Sequence, residues 1–204
     1  MPWAPAYLTS DELKAFIRVT DVDDDVEVAS AIEAASRAVD DHCSQGRTPA
    51  DRQFGQVAAP EARRYTARPR GCRWVVEIDD LMDVTGLTVA APAGAITLYD
   101  LTPVNAAAEG RPWTHLAVDP DSTIQPTGEA YEVTVTARWG WSAVPVTVKN
   151  ATKLQASRFL ARRDSPYGVA GSPDQGSELR LLARVDPDVA VMLRPYVRRK
   201  WVLG

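Results

Sequence analysis

Trp139-Gly140-Trp141-Ser142-Ala143-Val144-Pro145 is the stretch on which the fold turns. Before it, Tyr131-Glu132-Val133-Thr134-Val135-Thr136-Ala137-Arg138-Trp139 alternates in character. Tyr131, Val133, Val135 and Ala137 fall on one side and Glu132, Thr134, Thr136 and Arg138 on the other, the period of a half-buried strand. After it, Val146 to Arg163 reads as a helix. Pro145 suits its first position, where the missing N–H has no intrahelical partner. Val148, Ala151 and Leu154 continue one face, and Phe159 and Leu160 extend it. Arg162 and Arg163 place cations at the negative end of the helix dipole.

Downstream, Asp164-Ser165-Pro166-Tyr167-Gly168 breaks the helix, and Gly171, Pro173 and Gly176 continue a loop-like segment. Glu178 to Leu182 has the composition of a short strand or turn. Asp186 caps and Pro187 starts a final helix carrying Val189, Met192 and Leu193, which Pro195 disrupts. Upstream, six short strands with turn residues between them are expected: 64–67, 73–78, 84–89, 95–99, 113–118 and 131–139. Asp79-Asp80 reads as the turn after the second, and 103–112 as a loop. Ser44 to Pro60, with Gly46, Pro49, Gly55 and Pro60, reads as an irregular connection.

The first sixty residues are helical in pattern. Thr9 followed by Glu12 forms a capping box, with Leu13, Phe16 and Ile17 at helical spacing behind it. Asp24 and Glu27 repeat that logic for a helix from about Asp25 to about Cys43. Val28, Ala31, Ile32, Ala35, Ala38 and Val39 line one face of it, small enough for close approach of a second helix. The expected class is therefore α+β: a small helical bundle built from N- and C-terminal helices, with an inserted antiparallel β domain. The boundaries are 1–59 for the N-terminal helices, 60–141 for the β domain, and 142–204 for the C-terminal helices and tail.

The chain has 204 residues, 45% hydrophobic and 25% charged, which suits a globular protein with a real core. No apolar run reaches the ~20 residues of a membrane helix, and Met1-Pro2-Trp3-Ala4-Pro5 has no signal-peptide character. Two cysteines, Cys43 and Cys72, fit a reducing compartment better than a disulfide framework. Net charge is −4, distributed as −6 over residues 1–60, −3 over 61–150 and +5 over 151–204. Opposite signs at the two ends allow head-to-tail contact between copies, or docking on an acidic partner.

Motifs for chemistry are few. Phosphate-binding loops, dinucleotide fingerprints and nucleophile elbows are missing from the sequence. A zinc site from His42, Cys43, Cys72 and His115 lacks the usual ligand pairing, and adjacent His42 and Cys43 on a helix point about 100° apart. Asp21, Asp23, Asp24 and Asp25 resemble part of a calcium loop, without its glycine or terminal glutamate; helix capping explains them more simply. Asn150-Ala151-Thr152 matches a glycosylation acceptor but sits inside an expected helix. Trp139 and Trp141 are expected to pack the sheet onto the bundle. An enzyme assembled from Asp79, Asp80, His115 and Arg138 is the weakest alternative, since no motif supports it. The expectation is no catalytic, cofactor or metal site.

The order of several of these elements resembles the head-to-tail connector, or adaptor, proteins of siphophages. The resemblance rests on Tyr7-Leu8-Thr9-Ser10 before a short helix and on Glu33-Ala34-Ala35-Ser36-Arg37-Ala38-Val39-Asp40 in a second helix ending near a cysteine. It rests further on Arg64-Tyr65-Thr66-Ala67, on Gly140-Trp141-Ser142-Ala143-Val144-Pro145, on Arg162-Arg163-Asp164-Ser165-Pro166-Tyr167-Gly168, and on Asp186-Pro187-Asp188-Val189. The chain departs from the pattern between Ser44 and Phe54, where a longer loop replaces a brief turn.

The resemblance implies a virion protein of the phage neck, made and assembled in the host cytoplasm. It would bind the portal protein after packaging as a ring of twelve copies, extend the DNA channel, and present a surface to the next neck or tail-side protein. Double-stranded DNA would pass through without specific binding, and no membrane is involved. Another head-closure or tail-completion protein is the nearest alternative. Within this reading, the tail residues Arg194, Tyr196, Arg198, Arg199, Lys200, Trp201 and Leu203 form the portal-docking arm, on the logic that aromatic residues with arginine make anchors. Asp24, Asp25 and Glu27 of one copy meet Arg158, Arg162 and Arg163 of its neighbour in the ring.

Overall fold

A computed structural model describes residues 5–44, 53–163, 169–170, 179–180 and 186–198. The chain divides into two compact units, parted between Pro49 and Ala50 and between Ala143 and Val144. One carries a seven-stranded antiparallel sheet and the other the α-helices, so the class is α+β.

The helical unit begins with α1 (Ser10–Ile17). Its capping box is complete: the Glu12 N–H donates to Thr9 Oγ1 at 3.2 Å and the Thr9 N–H to Glu12 Oε2 at 3.0 Å. Arg18 ends it in the left-handed conformation, φ 60°. In α2 (Asp25–Ser44), Val28, Ala31, Ile32, Ala35 and Val39 are buried, as the apolar stripe requires. α3 (Val146–Arg163) opens with the Lys149 N–H donating to the Pro145 carbonyl at 3.0 Å. Its buried stripe is Val148, Ala151, Thr152, Gln155 and Ala156, rotated from the expected line so that Leu154 is only half buried. The physical reason is α3's neighbour, α2: small residues meet it, and Ala156 joins Leu13, Val28, Ile32 and Ala35 in one core with Phe159 and Leu160 beside it. α4 (Pro187–Leu193) is capped by Asp186, whose Oδ1 accepts the Asp188 N–H at 2.9 Å. A 3-10 turn over Arg194–Tyr196 follows where Pro195 stops the helix. Helices from both ends of the chain thus pack together.

The sheet contains β1 (Glu61–Tyr65), β2 (Ala67–Arg70), β3 (Arg73–Ala91), β4 (Gly94–Ala95), β5 (Tyr99–Thr102), β6 (Trp113–Val118) and β7 (Val133–Trp139). The main order is β1-β7-β3-β6-β5, with β2 and β4 also on β3. Asp79-Asp80 is not a turn. It lies within β3, which runs through the expected break with register irregularities near Leu81, Asp83 and Thr88. Both carboxylates are satisfied inside the sheet unit, so the chain need not carry them to solvent. Because β3 is long, its first half pairs with β2 and β6 and its second with β7. Only Thr66 separates β2 from β1, so one nearly continuous segment pairs with β3 through β2 and with β7 through β1. A buried core of Val76, Ile78, Leu81, Val89, Leu116, Val118, Val133, Val135, Ala137 and Trp139 fills the inner face. Each large side chain among them contributes about 1.5–3 kcal/mol.

Further details differ from the sequence reading. The strand expected over 64–67 breaks at Thr66, and the one expected over 95–99 becomes β4 and β5 around buried Ile96. Tyr131 is outside β7, exposed, with φ 58°. Residues 53–59 belong to the sheet unit, with Phe54 and Val57 buried there. Val169–Ala170 pairs with Leu179–Arg180 as β8 and β9; the rest of the segment expected to be loop-like, and most of 178–182, lie outside the described residues.

Gly140 is where β7 must stop. Its N–H donates to the Asp80 carbonyl at 2.8 Å, while its neighbours bond to the incoming segment: Val57 N–H to Trp139 O at 2.9 Å and Trp141 N–H to Gln53 O at 3.1 Å. Its φ is +99°, and a Cβ there would lie 2.0 Å from the Gly55 carbonyl oxygen. Gly71, at φ +60°, has open space around its Cβ direction. Gly140→Ala should therefore cost at least about 3 kcal/mol in urea unfolding, and Gly71→Ala only about 1 kcal/mol. Equal losses at the two positions would contradict this account of the junction.

Candidate functional site

Among the described residues, Asp79, Asp80, His115 and Arg138, singled out from the sequence, have different partners. Asp79 accepts the Arg63 guanidinium at 2.6 Å and the Tyr65 hydroxyl at 2.8 Å; burial first, and then the Asp79 charge, raise the Tyr65 pKa. Asp80, almost fully buried, accepts the Trp141 indole N–H at 2.8 Å. Arg138 faces Asp83 at 3.5 Å across β7 and β3, and His115, buried on β6, has Thr114 Oγ1 2.9 Å from its Nδ1. These four residues sit in separate contacts. The indole N–H groups of Trp139 and Trp141 also stay within the sheet unit, on the Glu61 carbonyl and on Asp80.

The zinc set is divided between units, with His42 and Cys43 on α2, Cys72 exposed at the β2–β3 turn and His115 on β6. Among the described residues, no group of three or more His, Cys, Asp or Glu side chains is placed to hold a metal ion. The Asp21–Asp25 turn is organised by a lysine. Lys14 Nζ donates to the Asp21 carbonyl at 2.7 Å and pairs with the Asp25 carboxylate. Asn150 lies on α3, the helix expected there.

Of the residues placed in a ring interface, Asp25 pairs with Lys14, and Arg158 pairs with Asp186 at 2.8 Å within the same chain. Glu27 is exposed; Asp24 and Arg162 are half buried. Arg163 ends α3, and its side chain lies outside the described residues. Of the docking-arm residues, Arg194 is exposed, Tyr196 is half buried, and Arg198 is buried with its N–H on the Cys43 carbonyl at 2.8 Å. Arg199, Lys200, Trp201 and Leu203 lie outside the described residues. No helix among the described residues is long and apolar enough to cross a membrane.

Sequence reasoning missed a buried polar cluster on α2 that seats the N-terminal segment. The Tyr7 N–H donates to Ser36 Oγ at 3.1 Å and the Tyr7 hydroxyl to Asp40 Oδ1. Arg37 reaches Asp40 Oδ2 and the Pro5 carbonyl, each at 3.0 Å, with its guanidinium over the Tyr7 ring. The one available signal was polar Ser36 and Asp40 flanking the apolar stripe of α2, the opposite of a solvated face. With Arg198 on Cys43, the segments at Pro5–Tyr7 and at Arg198 are both held against the C-terminal half of this helix.

Burial pushes the Asp40 carboxyl up to about 7, against Tyr7 and Arg37, which favour the carboxylate. A folded-state value above the unfolded one means stability that is complete below about pH 4 and lost as pH rises toward 7. For Asp40 that loss is at most about 4 kcal/mol. Urea unfolding of wild type and Asp40→Asn across pH 4 to 8 should show the variant gaining on wild type up to about pH 7 and then levelling; a constant difference would contradict the buried, protonated carboxyl. The chain matches no protein-family model and no curated protein.

Proposed function

We propose that this chain is a structural protein of the neck of a tailed bacteriophage, lying in the virion between capsid and tail. It binds the portal vertex after DNA packaging, forms a ring that extends the DNA channel, and offers the attachment surface for the next neck or tail-side protein. The observation that carries this reading is the packing of α1 and α2, from before the sheet in the chain, with α3 and α4 from after it. Such a unit leaves the sheet as an insertion in the chain, and the sides of its helices turned away from their shared core are surfaces that other subunits can touch. The polar groups described above support it too, because they are spent on holding the chain in shape.

The docking role belongs to the tail beyond Arg198. Leu193 and Arg198 are buried, and the Arg198 N–H is bonded to α2, so residues up to 198 contribute to the fold. Removal of 199–204 is expected to leave thermal stability within about 1 kcal/mol of wild type while abolishing co-sedimentation with purified portal rings. Removal of 195–204 is expected to lower stability as well, through loss of the Arg198 contact. Negative-stain imaging of the mixtures separates a ring on the portal from a head-closure or tail-completion component seated further out. Undiminished portal binding by the chain lacking 199–204 would overturn the docking role.

A further inference from the structure

The α1–α2 turn shows solvent two apolar side chains that the fold of the helical unit does not use. Val22 and Val26 are 70% and 78% exposed, and Phe16, near the end of α1, is 47% exposed. The turn itself is held in shape from within. Lys14 Nζ donates to the Asp21 carbonyl at 2.7 Å and pairs with Asp25, and the Asp25 N–H donates to the Val22 carbonyl at 3.3 Å. The valines therefore stand on fixed backbone, which lowers the ordering cost of a contact made through them. Helix-dipole complementarity accounts for acidic residues at the start of α2. It does not account for exposed valines among them.

The rim of this turn has a sign. From Arg18 to Glu27 there are five acidic side chains and one basic, a net of −4. Asp21, Asp23 and Glu27 are exposed, and no ion pair among the described residues engages their carboxylates. A partner for such a surface is apolar and basic, and the acidic rim repels nucleic acid. A segment of that chemistry lies in this chain. From Arg194 to Trp201 there are four basic side chains, no acidic one and a tryptophan. Arg194 is exposed, and no ion pair among the described residues engages its guanidinium. Arg198 is buried, and Arg199-Lys200-Trp201 follow it in sequence.

A chain cannot fill its own turn with this segment. The Arg198 N–H is bonded to the Cys43 carbonyl at 2.8 Å, at the opposite end of α2 from Val26. The helix between Val26 and Cys43 is about 25 Å long. Trp201 stands three residues past Arg198, a reach of about 10 Å even for extended chain. We infer that the α1–α2 turn of one copy receives the Arg194–Trp201 segment of a second copy. Trp201 covers Val22 and Val26, and Arg194, Arg199 and Lys200 face Asp21, Asp23 and Glu27. Tryptophan and arginine together are the residues that anchor interfaces. The two sides lie toward opposite ends of α2, so the contact is heterologous, the kind from which rings are built. It replaces Arg158, paired with Asp186, as the basic side. It also goes beyond the portal reading: before a portal is met, the segment which that reading gives to the portal is held by a second copy.

The test is sedimentation velocity of the full chain at low and high salt, first without portal. Wild type is expected to self-associate at low salt, the association constant falling about tenfold or more at high salt. The double variants Asp23→Arg/Glu27→Arg and Arg199→Glu/Lys200→Glu are each expected to be monomeric, since each sets two like-charged sides against one another. Their equimolar mixture is expected to associate again. Trp201→Ala is expected to keep the wild-type melting temperature while weakening association about tenfold or more, and it carries the test where a charge reversal unfolds the chain. Added portal rings are expected to dissolve the self-association, because both partners compete for one segment. A wild type monomeric at low salt, a folded mixture that stays monomeric, or Trp201→Ala associating like wild type would overturn the inference. Portal rings bound by a wild type that does not self-associate would sink this contact alone; charge exchange in a chain that binds no portal rings would sink the neck reading alone.

Discussion

One backbone position governs how the sheet unit is assembled. At Gly140 three carbonyls and three N–H groups from separate segments meet: Asp80 on β3, Gln53 and Val57 on the incoming chain, and the two tryptophans that flank the glycine. The Gly55 carbonyl occupies the space a side chain would need. A buried backbone group without a partner costs about 1–3 kcal/mol, so loss of any one of these bonds is costly. They draw residues 53–57 into the sheet unit, end β7, and carry Trp141 onto Asp80. Phe54 then packs on Trp141 with ring centroids 5.3 Å apart.

The same economy explains the polar residues inside both units. Asp79 with Arg63 and Tyr65, Asp80 with Trp141, and Asp40 with Tyr7 and Arg37 are buried or half-buried carboxylates, each with a donor across a tertiary contact. Such groups secure a particular arrangement more than they add net stability, since desolvation offsets most of the attraction. What remains for partners is surface, such as the exposed apolar turn between α1 and α2. A protein proposed to work by being gripped from several sides has its specificity in such places.

Much of the helical unit was legible because its signals are local. Thr9 and Glu12, Asp186 and Pro187, and the stripe from Val28 to Val39 each act within a few residues. The sheet was less so. Tyr131 continues the alternation of β7 on paper, yet Thr66 and Arg64 hold its backbone in a left-handed turn. Asp79-Asp80 has the composition of a turn and becomes mid-strand because its partners lie fourteen or more residues away. The assembly surfaces were legible only as charge. Asp25 and Arg158 looked available for a neighbour, whereas Lys14 and Asp186 already pair with them.

The sequence by itself determined the α+β class, the helix starts and the alternation of β7, since caps, proline and periodicity act over one or two turns of chain. Only the tertiary structure decided which carboxyl groups are paired from within and where the register of β3 shifts. Those outcomes depend on donors and acceptors distant in sequence, whose energies are set by burial and by the partner that folding brings.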